Sequence, residues 1–409
     1  MPVSKAYPSL AGSWKFMMLA AGLYEPLRYA CWRLGENVGG VGGIGGLCNL
    51  QNPDECSTFS GHAGSYCFKP GVWAGLTGFA IVVLLVWILP LLLGALRMSV
   101  SFSKGETQLE EEEGCNGESH PRASTEVRLL VTIWSGLSVL WFAMPLTYML
   151  ADTFYQSSFS GVLLAVALAA AFPLSWHLSL LAVPVSQAVG PFMGLGRQAT
   201  IDLHKALGWR TAGWAAIHAC GELIYVFKTS GLQMLFQLSG ENGDHLFYLL
   251  GLIAALMLLV HTVVAFYRKH PRISKYFKAS HRTTASLVLL AATAHWAPFA
   301  LFLLPSAAAY GAAAATGMAS HFGRKASTPR ASLALVAAIL GAVAGLLVVW
   351  KTRETVMMSR DVGLLLPFIF PPLALLAEVA AAMLVCLPVL LTAPAMPAGA
   401  EGPLTQLMG

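Results

Sequence analysis

Long apolar segments separated by short polar ones make up most of this chain of 409 residues. An α-helix that crosses the hydrocarbon layer of a membrane needs about 20 mainly apolar residues. The segments that meet this requirement are 72–97, 127–151, 159–189, 203–227, 245–267, 282–305, 331–350 and 363–392. Segment 13–32 contains three charged residues, so it is a signal anchor, an interfacial helix, a ninth span or an irregular segment. The pattern therefore predicts an all-α integral membrane protein with about eight transmembrane helices, or nine if 13–32 also crosses.

Composition supports a membrane protein and excludes one class of partner. The chain is 56% hydrophobic and 11% charged, whereas soluble domains are about 25% charged. The net charge of +5 is spread over the loops and forms no basic stripe with interleaved aromatic residues, which argues against nucleic acid. The expected environment is lipid, in the plasma membrane or in a secretory-pathway or other organellar membrane.

The distribution of lysine and arginine predicts the orientation, because cytosolic loops of membrane proteins are enriched in both. The most basic loop, 268–280 (RKHPRISKYFKAS), is placed in the cytosol. Alternation of the spans then puts 97–128, 190–205 and 351–360 in the cytosol, and 31–71, 152–158, 228–244 and 306–330 on the opposite side. A short extra span within Ala307–Ser320 would change this count, and the alternative stays open.

Two pairs of histidines are the strongest candidates for chemistry. His204 and His218 are separated by 14 residues, and so are His281 and His295. Along an α-helix, 14 residues fall only about 40° short of four turns, so each pair lies on one side of its helix with roughly 21 Å between its members. Two such helices facing each other would form two stacked bis-imidazole sites, the arrangement that holds two b-type haems in series. The alternative is that these histidines form hydrogen bonds between helices or line a transport path.

The cysteines fit the predicted orientation. Cys31, Cys48, Cys56 and Cys67 cluster in the predicted outer segment, where disulfides persist, and three connectivities are open. The alternative is a reduced, incidental cluster. The chain has no CxxC pair and no CxxCH sequence, which argues against a zinc ribbon and against covalently attached c-type haem.

Three stretches of sequence resemble the transmembrane domain of the ferric reductase and NADPH oxidase family. They are LAVPVSQAVGPFMG (181–194), IDLHKALGWRTAGWAAIHA (201–219) and FYRKHPRISKYFKASHR (266–282). The resemblance implies that His204 and His281 ligate an inner haem b, and His218 and His295 an outer one. It implies a haem-binding domain over 127–350.

Basic residues near the inner haem are candidates for binding its propionates. The family usually has an arginine shortly after its proline-containing motif, where this chain has Gln187. Propionate binding is therefore expected from Arg197, Arg210, Arg282 or Lys205. Each of these is equally explained as a positive-inside topology signal.

The remaining segments define the predicted domain organisation. Residues 1–71 form an N-terminal segment with a glycine-rich stretch and the cysteines, 72–98 an extra transmembrane helix, and 99–126 an acidic cytosolic loop. Residues 351–409 are predicted to form one more transmembrane helix and a disordered tail rich in Pro, Ala and Gly.

The resemblance implies an oxidoreductase that moves electrons from a cytosolic donor to an acceptor on the opposite face. A ferric chelate is the first acceptor expected, and oxygen, giving superoxide, is the second. No GxGxxG motif follows Trp350, so no flavin or NADPH site is expected in this chain and a separate flavin reductase or other donor is. The alternative is a non-enzymatic subunit of a larger membrane complex, or a transporter.

Three further polar residues lie in predicted spans. His177 and His261 are expected to form hydrogen bonds between helices. Glu222 follows His218 by four residues and so shares its helical face. It either tunes the outer haem, binds an acceptor cation, or has a snorkelling or hydrogen-bonded structural role.

Overall fold

The computed structural model describes residues 121–151, 153–181, 197–236, 244–296, 299–322, 324, 328–357 and 366–392. These residues are almost entirely helical, which confirms the predicted all-α class. The long helices are α1 (Pro121–Ala151), α2 (Phe159–Leu181), α3 (Arg197–Thr229), α4 (Asp244–Phe266), α5 (Phe277–His295), α6 (Phe299–His321), α7 (Thr328–Met357) and α8 (Leu366–Leu391). Short helical turns occur at Thr153–Gln156, Leu232–Phe236 and Pro271–Ser274.

Several sequence predictions lie outside the described residues. They are the possible span 13–32, the cysteine cluster, the helix at 72–98, the disordered tail after 392, and the position of Gln187. Most of the acidic loop 99–126 also lies outside them; α1 begins at Pro121, within the last part of that predicted loop.

The length and composition of the helices support a membrane protein. Segments Arg128–Thr147, Phe159–Leu178, Tyr248–Phe266 and Ile369–Leu391 are long and apolar enough to cross a membrane. None of the residues in the α4 segment is buried inside the protein. Large apolar side chains such as Leu256, Leu259 and Val263 are exposed there, as expected for a surface that faces lipid.

The helices pack mainly on their neighbours in the chain. Close packing joins α2 to α3, α4 to α5, α6 to α8, and α7 to α8. In the described part of the chain, α3 and α5 are not among the closely packed helix pairs. They nevertheless run parallel, because His204 faces His281 and His218 faces His295. Each histidine-bearing helix is therefore supported by a neighbour, α3 by α2 and α5 by α4.

The predicted span 282–305 is wrong, because it contains the end of one helix and the start of another. α5 ends at His295, and Trp296 has an extended backbone with φ −137° and ψ 103°. Pro298 explains the break, since proline disfavours helical backbone at the residue before it and cannot donate a backbone hydrogen bond. α6 then begins at Phe299.

The predicted outer loop 306–330 is also wrong over most of its length. α6 continues to His321, and its 23 residues would extend about 34 Å, enough to cross a membrane. α6 packs mainly on α7 and α8, and it also contacts α2 and α5. α6 includes Ala307–Ser320, the segment for which the sequence left an extra span open. If α6 crosses the membrane, 351–360 lies on the side opposite 268–280, in place of the predicted cytosolic side.

Glycines allow α8 to approach its neighbours closely. A Cβ added at Gly311 of α6 would lie 2.5 Å from the Cβ of Ala382, and one at Gly341 of α7 would lie 2.5 Å from the carbonyl oxygen of Ala381. A Cβ at Gly345 would collide with the carbonyl of Ala377. Gly341 and Gly345 have the GxxxG spacing that lets membrane helices pack backbone to backbone.

Substitution of Gly341 by alanine should therefore destabilise the α7–α8 contact. The added methyl group must push the helices apart, and overpacking of this kind costs about 1–3 kcal/mol. Thermal unfolding in detergent should show a lower midpoint for Gly341→Ala. The matched control is Gly317→Ala in α6, whose added Cβ meets nothing within 4 Å. Equal midpoints for the two variants would contradict the predicted packing.

Candidate bis-histidine centre

The four histidines of the 14-residue pairs form two sites between α3 and α5. The ring centres of His204 and His281 are 6.0 Å apart, with ring planes at 77°. The ring centres of His218 and His295 are 6.2 Å apart, with ring planes at 56°. All four rings are partly buried. The structure thus pairs each histidine of α3 with the histidine at the same level of α5.

Backbone carbonyls of α2 orient both histidines of α3. The Nδ1–H of His204 donates to the carbonyl oxygen of Leu181 at 2.6 Å, and that of His218 donates to Ala167 at 2.9 Å. Because a carbonyl only accepts, each ring carries its proton on Nδ1 and keeps a lone pair on Nε2. This is the usual arrangement of a metal-binding histidine, whose second nitrogen donates to a fixed acceptor.

The ring of His295 is accommodated by a glycine of α4. A Cβ added at Gly251 would lie 2.8 Å from Cε1 and 3.0 Å from Nδ1 of His295. Real Cβ atoms do not approach other atoms this closely, so any larger residue at 251 would have to move the ring. Gly251 therefore creates the space for His295.

The pairs fit a group whose central metal binds one imidazole on each face. Two metal–imidazole bonds of about 2 Å and two ring radii of roughly 1 Å give ring centres about 6 Å apart. Both observed separations, 6.0 and 6.2 Å, agree with this spacing. Among the described residues, no group of three or more His, Cys, Asp or Glu side chains could hold a metal ion directly. The geometry thus suits a bis-imidazole haem.

The basic propionate candidates lie in different surroundings. Arg210 donates from Nε to Oγ of Ser135 at 2.8 Å and from Nη1 to the carbonyl of Ala206, so it faces α1. Lys205 is exposed and forms an ion pair with Asp202 at 3.1 Å. Arg282 is exposed next to His281. Arg197 is the first residue of α3, and the position of its side chain is outside the described set.

Three other polar residues can now be placed. Nε2 of His177, which is fully buried, lies 2.7 Å from Oγ of Ser138, and Nδ1 of His261 lies 2.8 Å from Oγ1 of Thr284. Each bond joins two helices, which confirms the expectation for both histidines. Glu222 is different: its Oε2 atom is buried and has no hydrogen-bond partner among the described residues. The described residues therefore offer no hydrogen bond at Oε2 that would support a hydrogen-bonded structural role for Glu222.

Two features of the site were missed by sequence reasoning. The ring of His261 is stacked on that of His281, with 4.2 Å between ring centres, and Gly251 borders His295. His261 precedes His281 by 20 residues and lies on another helix, so helical spacing alone did not connect them. The available clues were Pro271, which ends the helical run, and the antiparallel return of the chain after it.

Comparison with protein families supports the resemblance seen in the sequence. Residues 161–292 match the family described as ferric reductase like transmembrane component. The match covers α2 to α5 and includes His204, His218 and His281, whereas His295 lies just beyond its end. No curated protein and no solved structure matched the chain. The chain is an integral, multi-pass membrane protein with a ferric reductase-like transmembrane domain.

Proposed function

We propose that this protein carries electrons across a membrane through two b-type haems. His204 and His281 would hold the inner haem, and His218 and His295 the outer one. The observation that supports this most strongly is the pair of ring separations, 6.0 and 6.2 Å, on two parallel helices. The matched family domain independently suggests transmembrane electron transfer.

The bound haems would supply the electron-accepting and electron-donating centres at two depths of the membrane. The residues of the chain bind and orient them. Hydrogen bonds from His204 and His218 to α2 carbonyls make both imidazoles stronger ligands and fix their planes. The 14-residue spacing sets the distance between the two centres along α3 at roughly 21 Å.

Transfer across the membrane can be tested in sealed vesicles. Purified protein is reconstituted with ferricyanide trapped inside, and dithionite is added outside. We expect trapped ferricyanide to be reduced by wild-type vesicles, and the His218→Ala variant to abolish this because it interrupts the path. Haem-containing wild-type vesicles that leave ferricyanide oxidised would contradict the proposal.

The orientation proposed for the basic segment 268–280 gives a separate prediction. Lys275 lies in that segment and Ser230 follows the opposite end of α3; both are exposed. In intact cells, a membrane-impermeant thiol reagent should label Ser230→Cys and leave Lys275→Cys unlabelled until the cells are opened. The reverse pattern would overturn the topology and exchange the inner and outer sites.

We propose that a separate cytosolic flavin reductase, or another donor, supplies the electrons. Lys269, Arg272, Lys275 and Lys278 are exposed around the turn Pro271–Ser274, close to His281 in the chain. A cluster of positive charge accelerates the encounter with an acidic partner, and this effect weakens as salt rises. The segment is therefore a suitable docking surface for a donor with an acidic face.

Charge reversal in this segment should slow reduction by an acidic flavin reductase. We expect the double variant Lys275→Glu, Lys278→Glu to lower the second-order rate roughly tenfold at low salt, with a smaller difference at high salt. Lys228→Glu is the control, because Lys228 is exposed at the opposite end of α3. Equal rates for both variants at low salt would contradict docking at 268–280.

The acceptor is proposed to be a ferric chelate, with oxygen as the second candidate. Glu222 shares the helical face of His218 and has a buried oxygen without a described partner, so it is the residue best placed to influence the outer site. The two acceptors can be compared by supplying the reduced protein with both oxygen and a ferric chelate. Formation of superoxide while the concentration of ferric chelate stays constant would favour oxygen as the acceptor.

A non-enzymatic membrane subunit or transporter is the second candidate function. It is favoured by Glu378 of α8, which is fully buried and has no hydrogen-bond partner for either oxygen among the described residues. Ionisable residues inside membranes often mark ion or proton paths. Two results together would favour this function. The purified wild-type protein would contain no haem and would transport ions, and the Glu378→Gln variant would lose that transport.

A further inference from the structure

The ring of His281 contacts two other aromatic rings. His261 of α4 is stacked on it, with ring centres 4.2 Å apart and planes at 30°. Phe277, one turn earlier in α5, lies with its ring centre 5.0 Å away and its plane at 31°. The imidazole of His281 therefore packs against two aromatic rings, with planes inclined to its own by 30° and 31°.

His281 also lacks the support that its partner histidine has. The Nδ1–H of His204 donates to the carbonyl of Leu181. By contrast, Nδ1 of His281 is buried and has no hydrogen-bond partner among the described residues. A ligating histidine is usually fixed by a hydrogen bond from its second nitrogen, so some other contact must fix the plane of His281.

His261 is itself firmly oriented. The hydroxyl of Thr284 donates its proton to the carbonyl oxygen of Ser280 at 2.8 Å. Thr284 must then accept at its oxygen, so the Nδ1–H of His261 donates to it at 2.8 Å. The hydrogen bond runs from α4 to α5 and fixes the His261 ring against the residue that it covers.

We propose that His261 is a positioning residue for the inner haem: its ring, anchored to Thr284, sets the plane of His281 by stacking. This inference rests on the proposed function, because it assigns His281 as a haem ligand. The role of His261 is to maintain the large angle between the ligand planes, which is 77° for His204 and His281.

The angle between ligand planes has a direct spectroscopic signature. Nearly perpendicular imidazoles leave two iron d orbitals close in energy, and this raises the largest g value of a low-spin ferric haem in electron paramagnetic resonance. If the His261 ring is removed, only Phe277 remains against His281, and the plane of His281 can rotate away from 77°. The largest g value of the inner haem should then fall, while that of the outer haem stays unchanged.

The test compares His261→Phe, which keeps a stacking ring, with His261→Leu, which keeps only apolar volume. The inner-haem signal is identified as the one that survives in His218→Ala. We expect two haems per chain in both variants. The phenylalanine variant keeps the stacking ring but loses the bond to Thr284, so its largest g value should lie between those of the wild type and the leucine variant. The reduction potential of the inner haem should also differ more from the wild-type value in the leucine variant than in the phenylalanine variant.

Outcomes in which the two variants behave alike would overturn the proposal. Wild-type signals in both would mean that stacking does not orient His281, and equal loss of the inner haem in both would instead make His261 an iron ligand. A wild-type protein without haem would refute the proposed function itself, and it is recognised before any variant is made.

Discussion

Replacement of His218 or His295 by alanine should remove the outer haem, and replacement of His204 or His281 should remove the inner one. Each substitution takes away one of only two imidazoles that face each other across about 6 Å. A haem held by two histidines would be bound far more weakly after one is removed, because each would supply one of the two bonds from the protein to the iron. Haem content, measured against protein, should fall from near two per chain to near one.

The four variants also predict which signal disappears. His218→Ala and His295→Ala should lose the same spectral component, and His204→Ala and His281→Ala the other one. His321→Ala is the control, because His321 is exposed at the end of α6. Unchanged haem content in all four variants would refute the ligand assignment, and a different pairing of lost signals would refute the pairing of α3 with α5.

Substitution of Gly251 by alanine should also affect the outer haem, although Gly251 has no side chain to bind it. The new Cβ would lie 2.8 Å from Cε1 of His295, so the ring must move away from its position opposite His218. We expect the outer-haem content to fall severalfold and the inner haem to remain. Haem quantification with spectra at stepped reduction potentials would measure both.

The matched control for Gly251→Ala is Gly213→Ala. Gly213 lies in α3 between His204 and His218, and its added Cβ meets nothing within 4 Å. This variant should retain two haems, which separates the local effect on His295 from a general effect of alanine in the haem-bearing helices. A full outer-haem content in Gly251→Ala would show that His295 does not need the position seen in the structure.

The pairing of the histidines could be predicted from the sequence because it depends on local geometry. A separation of 14 residues places two side chains on one helical face whatever the surrounding fold. When two such helices are parallel and His204 lies level with His281, the equal spacing also puts His218 level with His295. Most helix boundaries were predictable for the same reason, since apolar runs of about 20 residues are local features.

The remaining features depend on which helices pack together, and sequence patterns do not contain that information. The carbonyl acceptors Leu181 and Ala167 are far from His204 and His218 in the chain, and the contact between Gly251 and His295 arises from α4 packing on α5. The break between α5 and α6 was missed because Trp296–Phe299 is short and lies between two apolar stretches. The alanine-rich α6 has a strong helix propensity but few large apolar side chains. Hydropathy alone therefore did not decide whether this segment is a loop or a further span.

The most direct test of two haems between α3 and α5 is the absorption spectrum of the purified 409-residue protein, recorded oxidised and after reduction, with the haem content determined on the same sample. The proposed function predicts sharp reduced-minus-oxidised bands of a six-coordinate b-type haem and a content near two haems per chain. Protein that is folded and helical but shows neither bands nor extractable haem would contradict it.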